Sequence, residues 1–549
     1  MKKVLIILIS LLGFSSSQIA QTCHCNHIIT AAQLSIDGTS LNILPGDTIC
    51  LEASTKSYLR LVNFHGDSNN YIVFINCGGP VIVQNASQGY VIKLGNCSYF
   101  RFTGTGTDGV QYGIKAFGST GNGLSLDDKS TNYEIDHIEV ANTGFAGIMA
   151  KTDPSCDLST NRGHFTQYQT ILHDNYVHNT AGEGFYVGHS YYSGYPTTCS
   201  SLPDTLFPHE LKGVRIYNNL VDSSHWDGIQ VGCATEDCEI FGNRVTNYGV
   251  DAIDGQNSGI QIGGGTTGKC YNNYIADGMG TGIIIFGLGT NSFYNNVIVH
   301  AGLNYFPSDI SKRVHGIFCD DRATIAGRSF NFYNNTIIQP KTDGIRFYST
   351  LSANNKFYNN LIVEPGSLGS YSQSSSQNSF INFGSGVSAL LSNNYYDSVM
   401  SKMFFVDTLG NNYRLLSTSP AIDYGMNLTT YGIAFDFDSI PRPSGNGFDV
   451  GAFEYHLPSS IKETNFIANT ISVFPNPNTG AFTISSDDSF SFGNYTLSVF
   501  DMLGKNIYVE SSYATHKISI DIRSKVAKGI YYLQINTHDN LINKKIIIL

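Results

Sequence analysis

One feature restricts what this chain can fold into more than any other: a motif that recurs every two dozen residues or so across its middle. The stretches RIYNNLVDSSHWDGIQVG, KCYNNYIADGMGTGIIIFG and NFYNNTIIQPKTDGIRFY each show a short aromatic or aliphatic strand ending in Asn, a second apolar strand, a turn, and then Gly-aliphatic-x-apolar, and KFYNNLIVEPG repeats the first two strands. Taking the Asn as marker gives Asn175, Asn219, Asn243, Asn273, Asn296, Asn335 and Asn360, at intervals of 44, 24, 30, 23, 39 and 25. The basic period is therefore the short one, with insertions in some turns.

A period of that size, split into three short alternating strands, suits one coil of a right-handed parallel β-helix and lacks the sustained 3.6-residue pattern of helical repeats. Stacked coils repeat at about 4.8 Å, so equivalent residues form ladders. The recurrent Asn is expected inside the coil, its amide bonding turn backbones from coil to coil. The glycine before each third strand is expected to meet a conformational need of the turn. The reading is an all-β chain: residues 21–75 as N-terminal cap and first coils, 76–400 as the right-handed parallel β-helix, then a small C-terminal β-sandwich. The coils resemble the pectate-lyase-like superfamily of right-handed parallel β-helix proteins. That resemblance implies a fold shared by polysaccharide lyases, glycoside hydrolases, adhesins and binding proteins, and fixes no chemistry by itself.

Composition narrows the partners. Only 14% of residues are charged, the net charge is −11, and no dense Lys/Arg tract occurs, so nucleic acid is not expected. No internal run is long enough to span a bilayer. The N-terminus, MKKVLIILISLLGFSSSQIAQTC, reads as a secretory signal peptide over residues 1–20; Ala20-Gln21-Thr22 fits poorly to lipoprotein processing at Cys23. Export permits disulfides among the 11 cysteines. The nearest candidate pair is Cys233 with Cys238, and Cys156 with Cys199 can tie two long loops. Connectivity stays open, the odd count leaves at least one thiol unpaired, and no Cys/His spacing suits zinc.

After residue 400 the pattern changes. In residues 401–456, Asp423, Arg442, Asp449 and Glu454 supply charges that can pair while closing an exposed coil end. A linker over 457–470 leads to alternating apolar strands over 471–549. Pro475-Asn476-Pro477, the run Phe500-Asp501-Met502-Leu503-Gly504-Lys505, Gly529-Ile530-Tyr531-Tyr532 and Lys544-Lys545 make this segment similar to the sorting domain of Bacteroidota type IX secretion cargo. The resemblance implies contact with that secretion machinery and a place at the cell surface or outside the cell.

Aligning coils on the third-strand glycine locates candidate chemistry. Two positions after it stand Met149, Tyr186, Gln230, Gln261, Ile284, Phe318 and Arg346, expected to face outward by alternation. One position before it stand Glu183 and Asp227 on adjacent coils, about 5 Å apart if in register, a separation that suits the paired carboxylates of a retaining glycosidase. Glu183, Asp227 and His225 are the expected catalytic groups. Tyr186, His189, Trp226, Gln230, Gln261, Tyr192, His315 and Lys151 are the expected substrate contacts, since rings stack on sugars, amides bond hydroxyls and imidazoles move protons. The insertions 189–210 and 301–315 are expected to wall the cleft. Asp320 and Asp321 are a candidate Ca²⁺ site, although no cofactor is required. Each has a plainer reading: Asp before Gly is ordinary turn chemistry, Trp226 can cover a coil edge, and Asp320-Asp321-Arg322 can be a surface ion pair.

The expected function is action on an extracellular polysaccharide by a monomer, with hydrolysis slightly ahead of lyase chemistry because the strip is acidic and aromatic in its middle. Lyase chemistry needs a uronate and a base such as Lys151. The alternative is a non-catalytic glycan binder or adhesin.

Overall fold

The computed structural model describes residues 23–199, 205–368, 378–456, 471–486, 490–501, 505–537 and 541–549. The expected signal peptide, the linker over 457–470 and Met502-Leu503-Gly504 lie outside them. Residues up to Tyr455 form one compact unit and those from His456 a second.

The first unit is a stack of parallel coils that starts at His27–Ile29 and ends at Tyr395–Asp397. Each coil contributes three strands, for example Arg215–Tyr217, Leu220–Ser224 and Ile229–Val231. The third strands form a 12-stranded sheet, and the first and second run together in a 23-stranded one. Alternation sets the core: Ile216, Val221, Ile229 and Val231 point inward and are essentially inaccessible, as are their equivalents above and below.

The Asn-Asn dipeptide turns the chain between first and second strands, and its two residues do different work. The first takes the left-handed conformation, with φ of 54° at Asn218, 53° at Asn272, 51° at Asn295, 50° at Asn334 and 57° at Asn359; Gly242 replaces it in one coil. The second enters the interior as the expected ladder. Nδ2 of Asn243 donates to Asn273 Oδ1 at 3.0 Å and to Ile216 O of the preceding coil at 2.9 Å, while its backbone N–H donates to the same Asn273 Oδ1 at 3.1 Å. The same pattern links Asn175, Asn219, Asn243, Asn273, Asn296, Asn335, Asn360 and Asn394 in sequence. On the outside of the first strands, Tyr217, Phe241, Tyr271 and Tyr294 stack with centroids 4.9, 4.9 and 4.6 Å apart.

The glycine before the third strand has a different cause from the one expected. Gly228 does not have positive φ; a Cβ there would lie 2.3 Å from Val245 Cγ1 and 2.6 Å from Gly259 O. Close packing of the turn onto the next coil, not backbone freedom, excludes a side chain.

Two disulfides, Cys23–Cys77 and Cys25–Cys50, tie down the first residues, and Cys156–Cys199 joins the two loops as expected. Cys233 and Cys238 are not paired; both point into the coil as buried thiols.

Residues 401–455 lie along the side of the helix, whereas they were expected over its open end. Met403, Phe405, Tyr413, Leu415, Val450 and Phe453 cover Ala276, Val297, Val299, Ile338, Leu361 and Val363 on the outer face of the second strands. The four charges fasten this cover. The buried Arg442 guanidinium bonds Glu454 Oε1 at 2.5 Å, Gly451 O at 2.8 Å and Asn295 Oδ1 at 3.3 Å, and Glu454 Oε1 also accepts from Asp449 N at 2.9 Å. The second unit pairs a three-stranded and a four-stranded antiparallel sheet around Ile484, Leu497, Val499, Leu533, Ile535 and Ile546, the β-sandwich expected.

The two Asn positions make opposite predictions. Asn273→Ala leaves the buried backbone N–H of Asn243 and the Ile240 carbonyl without their Asn273 partners and should destabilise the helix by about 2–4 kcal/mol, from about 1–3 kcal/mol per unpaired group. Asn272→Gly keeps the left-handed turn and should change stability by under about 0.5 kcal/mol. Urea unfolding of the two variants measures both.

Candidate functional site

Two clefts open over the third-strand sheet, one on each side of Tyr186. The first, about 530 Å³, is lined by Asp127, Lys129, Met149, Lys151, Thr152 and Asp153, with Ser155 and Thr160 on its rim. The second, about 490 Å³, has Gln230, Gln261, Ile284, Phe286 and Phe318 as floor and Ser190–Gly194, Gly255–Gln256 and Arg322–Ala323 as walls. Met149, Tyr186, Gln230, Gln261, Ile284 and Phe318 are consecutive rungs of one register. The expected outward strip is therefore the floor of both clefts.

Lys151, which lines the first cleft, meets Tyr186, a buried ring on the rung between Met149 of the first cleft and Gln230 of the second. The Lys151 ammonium lies 4.9 Å from the Tyr186 ring centre and pairs with Asp153, which is itself largely exposed. Burial pushes the Tyr186 phenol up to about 12, so it stays protonated at neutral pH, and it shares a 2.9 Å hydrogen bond with Ser190 Oγ. Gln230 Nε2 donates to the same Ser190 Oγ at 2.5 Å, linking the two clefts by one polar chain. His189 sits beneath. Its Nδ1 accepts from Tyr191 N at 3.1 Å, which leaves the hydrogen on Nε2, 3.6 Å from Asp153 Oδ1. Burial and the Lys151 charge bring its pKa down to about 4, so it is a neutral support rather than an open base.

The second cleft is short of donors. Gln230 Oε1 and Gln256 Oε1 are both buried and accept no hydrogen bond from the protein. Such acceptors suit the hydroxyl groups of a bound sugar. Tyr192 forms part of the wall as expected, held by the Arg162 guanidinium 4.0 Å over its ring and by Arg162 Nη2 donating to Tyr192 O at 2.7 Å.

The paired carboxylates do not face either cleft. Asp227 is wholly buried; its Oδ1 accepts from Ser258 N and Ser258 Oγ, both at 2.6 Å, and its Oδ2 from Gln261 Nε2 at 2.7 Å. Asp343 does the same on a later coil, accepting from Ser379 N at 2.9 Å and lying 3.4 Å from Asn382 Nδ2. A role repeated at a second site is that of a turn cap. Burial pushes Asp227 up to about 7, against its Ser258 donors, and pushes Glu183 up to about 8, with the Asp227 charge adding to the effect. Glu183 Oε2 has no partner.

Other expected site residues fall elsewhere. His225 stands on an outer turn, paired with Asp251 at 2.8 Å, and Trp226 packs edge-on against Phe145 with centroids 5.5 Å apart. Neither lines a cleft, because the residues before the glycine turn away from the strand face. His315 is buried against Asp343 at 3.2 Å and Thr342 Oγ1 at 2.9 Å. The Ca²⁺ reading of Asp320 and Asp321 does not fit: Asp320 is taken up by Arg322, with Nε donating to Oδ1 at 3.2 Å and Nη2 to Oδ2 at 2.6 Å, and Asp321 Oδ2 caps Thr350 N and Leu351 N at 2.6 and 2.8 Å. Arg322, by contrast, lines the second cleft, its guanidinium 3.9 Å over Phe286.

The 301–315 insertion supports a wall rather than forming one. The buried Lys341 ammonium donates to the carbonyls of Tyr305, Phe306, Asp309 and Lys312 at 2.7, 3.0, 3.2 and 2.7 Å, and the Tyr305 hydroxyl bonds Asp254 beside Gly255. Sequence reasoning passed over Lys341, whose burial depends on a loop 30 residues distant.

Comparisons with known proteins agree with this architecture. Residues 209–384 match the family model for the right handed beta helix region, and residues 472–549 that for the secretion system C-terminal sorting domain. The chain is thus a right-handed parallel β-helix protein with a type IX sorting domain, directed to the cell surface or the extracellular space. No helix among the described residues is long and apolar enough to cross a membrane. It is 30% identical over 90 residues to an endo-acting ulvan lyase of Formosa agariphila, a match spanning 16% of this chain and 17% of that relative. Among solved structures it is similar to the pectate lyase Pel9A, with TM-score 0.38 and 12% identity, covering 79% of this chain and 97% of that one. It is also similar to an alginate lyase from Paenibacillus sp. str. FPU-7, with TM-score 0.35 and 16% identity, covering 59% and 99%.

The Glu183 environment predicts a pH effect. Unfolded, its carboxyl ionises near the ordinary glutamate value of 4.5; folded, it holds its proton to about 8. Between those values the folded state binds more protons, so stability falls as pH rises through the window, by at most about 1.4 kcal/mol per unit. Glu183→Gln should flatten that slope in urea midpoints measured from pH 5 to 8.

Proposed function

We propose that this protein is a secreted enzyme that cleaves a uronate-containing polysaccharide by β-elimination at the third-strand face. The observation that carries the reading is the Lys151–Tyr186 pair on the strip between two clefts of one sheet, with Lys151 on the wall of the first. A groove that runs along stacked coils suits a polymer, and the unpaired Gln230 and Gln256 oxygens suit its hydroxyls. The match to an ulvan lyase points the same way.

In this reading the substrate displaces Asp153 from Lys151. Lys151 passes one proton to the departing Asp153 carboxylate, and the neutral amine so formed takes the proton next to the uronate carboxylate; the C4–oxygen bond breaks, a C4–C5 double bond forms, and the Tyr186 phenol gives its proton to the leaving oxygen. Lys129 on the same cleft faces the carboxylate. Hydrolysis, weighed more heavily from sequence, would need two carboxyl groups open to the glycosidic bond. Glu183 and Asp227 are under the surface, and both Asp227 oxygens are occupied.

A panel of uronate polysaccharides, followed by the ultraviolet absorbance of unsaturated products, tests the proposal. Lys151→Met and Tyr186→Phe should each lower kcat by about a hundredfold or more, the usual worth of a positioned acid or base. Reducing ends without unsaturated product, or full activity in Lys151→Met, would overturn it. Retention of polymer without products would leave a binding protein.

A further inference from the structure

A third cleft lies on a different face. Its volume is about 290 Å³, and it opens on the outer side of the second strands where the 401–455 cover ends, between Arg244 and Tyr274 below and Asn411, Arg414, Phe437 and Phe453 above. Tyr176, Leu220, Arg244, Tyr274 and Val297 are consecutive rungs of one outward row. Val297 is buried under the cover, while Leu220 is 39% exposed, so the row runs from open surface into the cleft.

The charge of this cleft is not balanced. The Arg414 guanidinium is matched to Asp438 by two bonds of 2.5 Å. The Arg244 guanidinium lies 4.2 Å over the Tyr274 ring and, among the described residues, forms no ion pair with a carboxylate. Asp277, which acts on Tyr274 electrostatically, is itself paired with His300 at 2.8 Å. A planar guanidinium with open donors takes a carboxylate or sulfate in two parallel bonds, and the half-buried Phe437 ring on the opposite wall offers apolar surface to a pyranose.

We propose that this cleft binds an anionic sugar unit of a polysaccharide whose neighbouring units lie along Leu220 and Tyr176. It is a second glycan site that holds polymer to the enzyme away from the Lys151–Tyr186 clefts. The inference shares with the proposed function only the class of ligand, and does not depend on cleavage.

Affinity electrophoresis of the full chain carrying Lys151→Met tests it without degradation of the polymer. The probes are polygalacturonate for carboxylate, dextran sulfate for sulfate, and dextran as the neutral control. Adding Arg244→Ala should weaken retention by at least one anionic polymer threefold or more, Arg244→Glu should weaken it further, and dextran should be unaffected by both. In the protein with Lys151 intact, Arg244→Ala should leave turnover of a short oligosaccharide unchanged. The inference is overturned if neither anionic polymer retards the protein, if retention is equal with and without Arg244, or if dextran loses retention to the same degree. Absence of turnover in the intact protein would sink the lyase reading while leaving the retention result to stand.

Discussion

The asparagine ladder is the constraint on which the rest of the first unit depends. Each amide fastens three things at once, as Asn243 shows: the preceding Asn, from which its Oδ1 accepts, the strand end of the preceding coil and the next Asn, to both of which its Nδ2 donates. A buried amide is costly unless every group is paired, so the ladder tolerates only one register. That register fixes which side chains fall on the third-strand face, and so brings Lys151, Tyr186 and Gln230 onto neighbouring rungs although 35 and 44 residues separate them.

Insertions are confined to turns, so the coils remain in step while loops vary. This explains why the clefts have walls of such different origin. Ser190–Gly194 is held by Arg162 and by Cys156–Cys199, whereas Gly255–Gln256 is braced through Asp254 by a loop wound around the Lys341 ammonium. Cationic side chains here act as internal staples. Lys56 repeats the device near the N-terminus, donating to the carbonyls of Thr30, Ala31 and Gln33. An ammonium with several carbonyl partners orders a loop that has no strand of its own.

Periodicity made the coil, the ladder and the outward strip legible, because strand alternation and stacking are local rules. It misled at the position before glycine. Asp227 reads as a carboxylate beside a candidate cleft, yet the turn rotates it downward onto Ser258, and only the parallel case of Asp343 with Ser379 and Asn382 makes the capping role plain. Trp226 reads equally as a ring for a sugar or as a cover for a coil edge, and its packing against Phe145 makes it the cover. The 401–455 charges were read as a structural set, but the side of the helix they fasten to depends on which outer face is apolar over several coils.

The parallel β-helix and its internal asparagine ladder are written in residue spacing within one or two coils, and the C-terminal sandwich in local strand alternation. Only the tertiary structure decided which polar groups reach a cleft. Whether a carboxylate is catalyst or cap depends on the donors of the next coil, and whether an arginine is free depends on a cover arriving from 150 residues away.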